Sequence, residues 1–160
     1  MTDARRHGLA LALAVLVADQ LAKLWIVQTV GLRLKGSVDV APFLSLTWVE
    51  NRGISMGLLN FGDSGRWLIT ALTAAIAVAV GYWLARERDA RDSLALGAIL
   101  GGALGNIADR VRLGYVVDFV HLHMGERSFY VFNVADAAIT LGVIALLLKG
   151  ATKPQAPRSA

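Results

Sequence analysis

Two aspartates stand in apolar surroundings, where a carboxylate is costly. Asp118 lies in the run Gly114-Tyr115-Val116-Val117-Asp118-Phe119, and Asp136 is the sole charge of the stretch 129–148, three residues after Asn133. Both are expected toward one end of the segments that hold them. Two carboxylates brought together in a low dielectric do not both ionise easily, so one pKa rises and the pair holds a single proton. One member can then act as general base on a water while its protonated partner hydrogen-bonds a carbonyl. That chemistry hydrolyses a peptide bond without metal, thiol or serine.

Rival chemistries are thin. Cysteine is absent, which removes a thiol nucleophile, thiolate zinc sites and disulfides together. None of the seven serines sits in a nucleophile-elbow context, and no phosphate-binding loop appears. His121 and His123, two apart, would share one face of a strand and with Asp118 could bind a metal. They read instead as surface residues, so no metal or other cofactor is expected.

Further polar groups interrupt apolar stretches. Asp19 and Lys23 are four apart and share a helix face, as an ion pair that pins the first helix. Gly102, Asn106 and Arg110 are again spaced by four. Gly101, Gly102 and Gly105 permit close helix approach, while Asn106, Asp109 and Arg110 at one end make a site out of a packing seam.

The elements that must position these groups follow from composition. The chain has 160 residues, of which 56% are hydrophobic and only 18% charged, with mean hydropathy +0.55. A soluble chain this short could not bury so much apolar surface, and disorder needs a polar chain. The net charge of +4 reads as topology signals beside membrane spans, not as a nucleic-acid footprint. Spans of roughly 20 apolar residues are expected over 8–32, 65–86, 93–113 and 129–149. Trp67, Tyr82 and Trp83 mark the ends of the second, and Phe129 and Tyr130 the start of the fourth. Asp136 would then lie about 9 Å inside that aromatic belt. The first span is read as uncleaved. Lys and Arg divide eight against seven between the two sides. The Arg-rich turn at 86–92 decides for the cytoplasm, with both termini beside it.

The segment 33–63 is extracytoplasmic. Leu44, Leu46 and Trp48 alternate with Ser45, Thr47 and Val49, which predicts a half-buried strand, while 51–53 and 60–63 read as turns. The expected fold is an all-α integral membrane protein of four transmembrane helices. A small extracytoplasmic β-sheet lies between helices 1 and 2, in a single domain over 1–150, with a disordered cytoplasmic tail over 151–160.

Five blocks then carry a resemblance. They are Asp19-Gln20-Leu21-Ala22-Lys23, Asn51-Arg52-Gly53-Ile54-Ser55-Met56, the stretch from Gly101 to Arg110, Gly114 to Phe119, and Phe132-Asn133-Val134-Ala135-Asp136. In this order the chain resembles the lipoprotein signal peptidase (signal peptidase II) family of bacterial membrane aspartic peptidases, from about Gly8 to Lys149. The resemblance implies four spans, cytoplasmic termini, a periplasmic β-cradle and a catalytic dyad of Asp118 and Asp136. Asp19, Lys23, Asn51, Gly102, Asn106, Arg110, Asn133 and Ala135 fall on motif positions that shape the site, hold substrate or support the dyad. The implied substrate is a prolipoprotein signal peptide, cut just before a diacylglyceryl-modified cysteine. Membrane lipids are the other implied partners, the chain acts as a monomer in the inner membrane, and nucleic acid plays no part. A lid role for part of 33–63 is also expected. Ala22 stands where the family usually has Ser or Thr, and Met56 where Phe is frequent; neither touches the dyad. Two other classes fit the residues alone. One is a proton-coupled transporter relaying through Asp19, Asp109 and Asp136; the other is an assembly subunit held by the glycine seam.

Overall fold

The fold is described by a computed structural model covering residues 2–53, 63–125 and 127–152. The expected turn at 60–63 lies outside these residues apart from Asp63, and so do Met56, positions 54–62 of the segment 33–63 expected to supply a lid, and the tail beyond Thr152. Helix α1 (Asp3–Trp25) continues as a π-helical turn over Ile26–Val30 and is followed by the short α2 (Leu32–Lys35). Strands β1 (Ser37–Ala41) and β2 (Leu44–Asn51) precede the long helices α3 (Asp63–Arg86) and α4 (Ala90–Leu113). Strands β3 (Val116–Met124) and β4 (Arg127–Phe132) then lead into α5 (Val134–Thr152).

Among the described residues, three stretches are long and apolar enough to cross a membrane: Asp3–Val30, Gly65–Arg86 and Ala90–Leu113. α3 turns Leu68, Leu72, Ile76 and Val78 outward, all more than half exposed. An apolar band of that kind suits a helix surrounded by lipid. α4 is the central helix and packs against α1, α3 and α5. Its glycines make this possible. A Cβ on Gly102 would sit 2.5 Å from the Ala135 carbonyl oxygen of α5. That contact is to backbone, so any larger residue would force the two helices apart.

The strands form one antiparallel sheet in the order β1-β2-β3-β4. The expected strand at Leu44–Val49 forms the first six of the eight residues of β2. The other half of the sheet departs from expectation, because it comes from residues between α4 and α5, not between the first two helices. The run Val116-Val117-Asp118-Phe119 is buried throughout, so it shows no alternation. Such a run cannot be told from a helical one by periodicity.

A second departure concerns α5, which begins at Val134; Phe129 and Tyr130 lie on β4. Aromatic and β-branched residues over 128–132 suit a strand, and Asn133 then caps the helix. Asp136 is therefore in the first turn of α5, not 9 Å inside a span. At the other end, α5 runs through Thr152 and takes in the first two residues of the expected tail.

The sheet is joined to the helices by a small core of Ile26, Leu32, Val117 and Phe119. Two of these flank Asp118. Successive strand side chains point to opposite faces, so burying Val117 and Phe119 against the end of α1 turns Asp118 to the other face.

Candidate active site

Asp118 is 1% exposed. Its Oδ1 accepts a hydrogen bond from Asn133 Nδ2 at 2.6 Å, and its Oδ2 accepts from Asn51 Nδ2 at 2.9 Å. The register explains the second bond. Val49 faces Asp118 across the β2–β3 ladder, and Asn51 is two residues further along the same face. Burial pushes the Asp118 carboxyl up to about 6, helped by the Asp136 charge. The hydrogen bonds from Asn51 and Asn133 and the Lys23 charge oppose that rise.

Asp136 is half-buried, and its Oδ1 accepts from Asn106 Nδ2 at 2.8 Å. Its backbone N–H donates to Asn133 Oδ1 at 2.9 Å, while its Oδ2 accepts from the Asn133 backbone N–H at 3.4 Å. This reciprocal pair is a capping box at the start of α5, with Asp in the place usually held by Glu or Gln. Asn133 thus serves both carboxylates: its amide holds Asp118 while its backbone and carbonyl oxygen hold Asp136. It also donates to Asn106 Oδ1 at 3.3 Å, so three asparagines from β2, α4 and the α5 cap orient two acids. Each of the four carboxylate oxygens accepts one hydrogen bond and keeps a second lone pair for a water or a hydroxyl.

Behind this pair lies a buried charge cluster. Lys23 Nζ is 2.7 Å from Asp19 Oδ2, the pair expected from the spacing, and 2.8 Å from Asp109 Oδ2. Sequence reasoning missed the second contact. Asp109 was noted as a polar group at the end of a seam, but nothing in a linear pattern tells which lysine an acid on another helix will meet. Gln20, which donates to Asp109 Oδ1 at 3.0 Å, was missed for the same reason. A Cβ on Gly105 would lie 2.6 Å from Asp19 Oδ2, so the helix must be bare there for the cluster to close. Removing one partner from a buried ion network costs about 3–5 kcal/mol.

The remaining expected positions are accounted for as follows. Arg110 is half-buried, its charge acts on Asp136, Asp118 and Asp109, and its Nε finds no hydrogen-bond partner among the described residues. Ala135 is fully buried under Gly102. His121 and His123 do lie close together, with ring centroids 5.4 Å apart. Their nitrogens engage hydroxyls, however: His121 meets Thr47 and Ser128, and His123 meets Ser45. Neither hydrogen-bonds Asp118, whose partners are the two asparagines.

Two grooves, each of about 470 Å³, meet at Tyr130. One carries Glu50, Asn51 and Arg52 and reaches Asp118; the other is lined by Phe132, Ala137, Thr140 and Leu141 and reaches Asp136. A groove that carries charged residues and a more apolar one therefore reach the two carboxylates.

Known proteins share this sequence and this architecture. The family model described as signal peptidase (SPase) II matches residues 11–152. The lipoprotein signal peptidase of Rhizorhabdus wittichii is 51% identical over 155 residues, covering 93% of this chain and 90% of the relative. That of Sphingopyxis alaskensis is 50% identical over 148 residues, covering 90% and 84%. A solved bacterial membrane enzyme, determined by the in meso method at 1.9 Å resolution, superposes with a TM-score of 0.77 at 30% identity. It covers 92% of this chain and 94% of its own. With a matched model over most of its length and relatives at half identity, this chain belongs to the signal peptidase II family and is a membrane peptidase.

Proposed function

We propose that the protein is an aspartic endopeptidase that removes signal peptides from prolipoproteins, cutting just before the diacylglyceryl-modified cysteine with Asp118 and Asp136. The observation that carries this reading is the Asn133 bridge, which holds both carboxylates where a groove with charged residues meets a more apolar one. The ionised member of the pair takes a proton from a water, whose oxygen attacks the scissile carbonyl carbon. The protonated member gives its proton to the carbonyl oxygen, forming a neutral tetrahedral diol. On collapse the C–N bond breaks, the amine nitrogen of the cysteine takes up the proton held by one carboxylate, and a diol hydroxyl gives its proton to the other, which restores the singly protonated dyad. Asn51, Asn106 and Asn133 fix the carboxylates, and Arg110 supplies positive charge beside them. Asp19 and Lys23 support the dyad from behind, and Gly102 and Ala135 let α4 and α5 approach.

The grooves divide the substrate. The groove with Glu50 and Arg52 suits extended peptide, and the one with Phe132, Ala137 and Leu141 suits acyl chains. In this reading α5, 19 residues long and thus about 28 Å, is the fourth span. The sheet is an extracytoplasmic cradle, and the termini and the 86–92 turn face the cytoplasm. The chain works as a monomer in the inner membrane, with lipid around it and residues 1–150 as one domain.

A mobility-shift assay on purified protein in detergent tests the reading. Diacylglyceryl-modified prolipoprotein is expected to be cut and the unmodified precursor left intact. Equal cleavage of both, or of neither by folded protein, would remove the proposed specificity or the activity.

A second expectation follows from Asp118. Its carboxyl titrates near 6 in the folded state, against an ordinary value of 3.8. Between those values the folded protein binds the extra proton, so the stability Asp118 contributes is present at low pH and lost as pH rises through about 6. Asn at this position removes the titration. The thermal midpoint of Asp118→Asn, measured relative to wild type, is expected to rise from about pH 4 and to level off once the pH has passed about 6. A difference that stays constant with pH would show that Asp118 titrates normally.

A further inference from the structure

Lys23 and its two acids touch more than each other. Asp19 Oδ1 accepts a hydrogen bond from the backbone amide of Ala135 at 3.0 Å, and Ala135 immediately precedes Asp136. Asp109 Oδ2 accepts from the backbone amide of Val117 at 3.1 Å, and Val117 immediately precedes Asp118. The ammonium between them lies 2.7 Å from one acid and 2.8 Å from the other. All three residues are at least 95% buried. One cation thus holds two carboxylates, and each carboxylate holds the amide one residue before a member of the dyad.

We infer that Lys23, Asp19 and Asp109 form a positioning unit that sets the placement of Asp118 relative to Asp136. The inference rests on reading those two residues as the catalytic pair. The physical case is geometric. β3 and α5 reach the site from separate connections, and of the dyad and its asparagines only Asn133 contacts both carboxylates. A second tie, from behind, fixes the peptide plane that leads into each aspartate, and with it the origin of each side chain. Gln20 braces the unit by donating to Asp19 Oδ2 at 3.2 Å and to Asp109 Oδ1 at 3.0 Å. Lys23 also reaches Asn106 Oδ1 at 3.5 Å, and Asn106 holds Asp136. Without the ammonium, two buried carboxylates that share a cation would repel, and both amides would lose their anchors together. A helix-pinning ion pair alone would need neither amide contact.

The test compares Asp109→Ala, Asp19→Ala and Lys23→Met with wild type and Asp118→Asn. Turnover of the lipidated precursor is read per folded molecule, and hydrogen exchange is read at the amides of Val117 and Ala135. Asp109→Ala should speed exchange at Val117 and spare Ala135; Asp19→Ala should do the reverse, and Lys23→Met should speed both. Each should lower kcat by about 10- to 100-fold with KM nearly unchanged. Asp109→Asn, which keeps an acceptor oxygen for Val117, should recover part of the turnover. If Asp109→Ala does not fold, this milder variant is read at the same amide. Unchanged exchange, or wild-type kcat per folded molecule, would reduce the unit to a structural ion pair. Loss of the dyad reading would appear elsewhere, as an inactive wild type or an active Asp118→Asn. The exchange pattern would still decide whether the unit holds both strand and helix.

Discussion

Replacing either Asp118 or Asp136 by Asn is expected to lower kcat on lipidated precursor by at least about 10⁴-fold, with the protein still folded. Asn has nearly the shape of Asp. At position 118 its carbonyl oxygen can still accept from Asn133 Nδ2, the shorter of the two bonds made by the native carboxylate. At position 136 it can still accept from Asn106 Nδ2. What it cannot do is take a proton from water or hold one for the carbonyl. In the proposed mechanism each carboxylate has one of these tasks, and neither task proceeds without the other. The two substitutions should therefore not add: Asp118→Asn with Asp136→Asn should be about as inactive as either alone, as is usual for groups acting as a unit. Cleavage rates should be measured on size-exclusion-purified protein, with the thermal midpoint as a control for folding. Wild-type processing by either single variant would remove that residue from the chemistry. A double variant much slower than both singles would mean that the two act independently.

The acids of the site were legible in the sequence because of where they stand. Asp118 and Asp136 interrupt apolar runs, and a charge in such a run needs a reason. The Asp19–Lys23 pair was legible because helical spacing alone brings the two together. Asn106 and Asn133 were legible by helical spacing and Asn51 by family resemblance, but which carboxylate each holds was not, since an asparagine in an apolar segment has many possible partners. The sheet was half legible. β2 alternates and was read as a strand, whereas the start of β3 is buried throughout and carries no period. The start of α5 was misread because Phe129 and Tyr130 look like an interfacial belt whether they sit on helix or strand. The signal that settles it is the Asn133-to-Asp136 spacing, which is that of a helix N-cap and its third residue. Asp109 shows the limit of linear reading. The proton-relay alternative placed it in a path with Asp19 and Asp136, but Asp19 and Asp109 are both tied to Lys23. A held cation between two acids stabilises fixed charge; it is poorly suited to passing protons along.

Asn133 separates two roles that the structure combines, and substitution can separate them in turn. As N-cap of α5 it accepts from the Asp136 amide, a contact worth about 1 kcal/mol of stability. As a donor it holds Asp118 Oδ1 at 2.6 Å, the shortest hydrogen bond to either carboxylate. Asn133→Ala loses both. Asn133→Ser retains a good capping oxygen, yet its side chain is too short to reach Asp118 while capping the helix. Both variants are expected to lower kcat by about 10²- to 10³-fold, the scale of losing one well-placed donor in a water-poor site. Only the Ala variant should lose the capping stability. Denaturation and turnover on the same preparations would test this. Recovery of turnover in the Ser variant along with stability would make Asn133 a helix cap and nothing more. Recovery of stability alone would mean that orienting Asp118 is a task separate from starting the helix. The amide is then required because, of the residues that cap well, only Asn carries an acceptor for the Asp136 amide and a donor for the Asp118 carboxylate on one rigid plane.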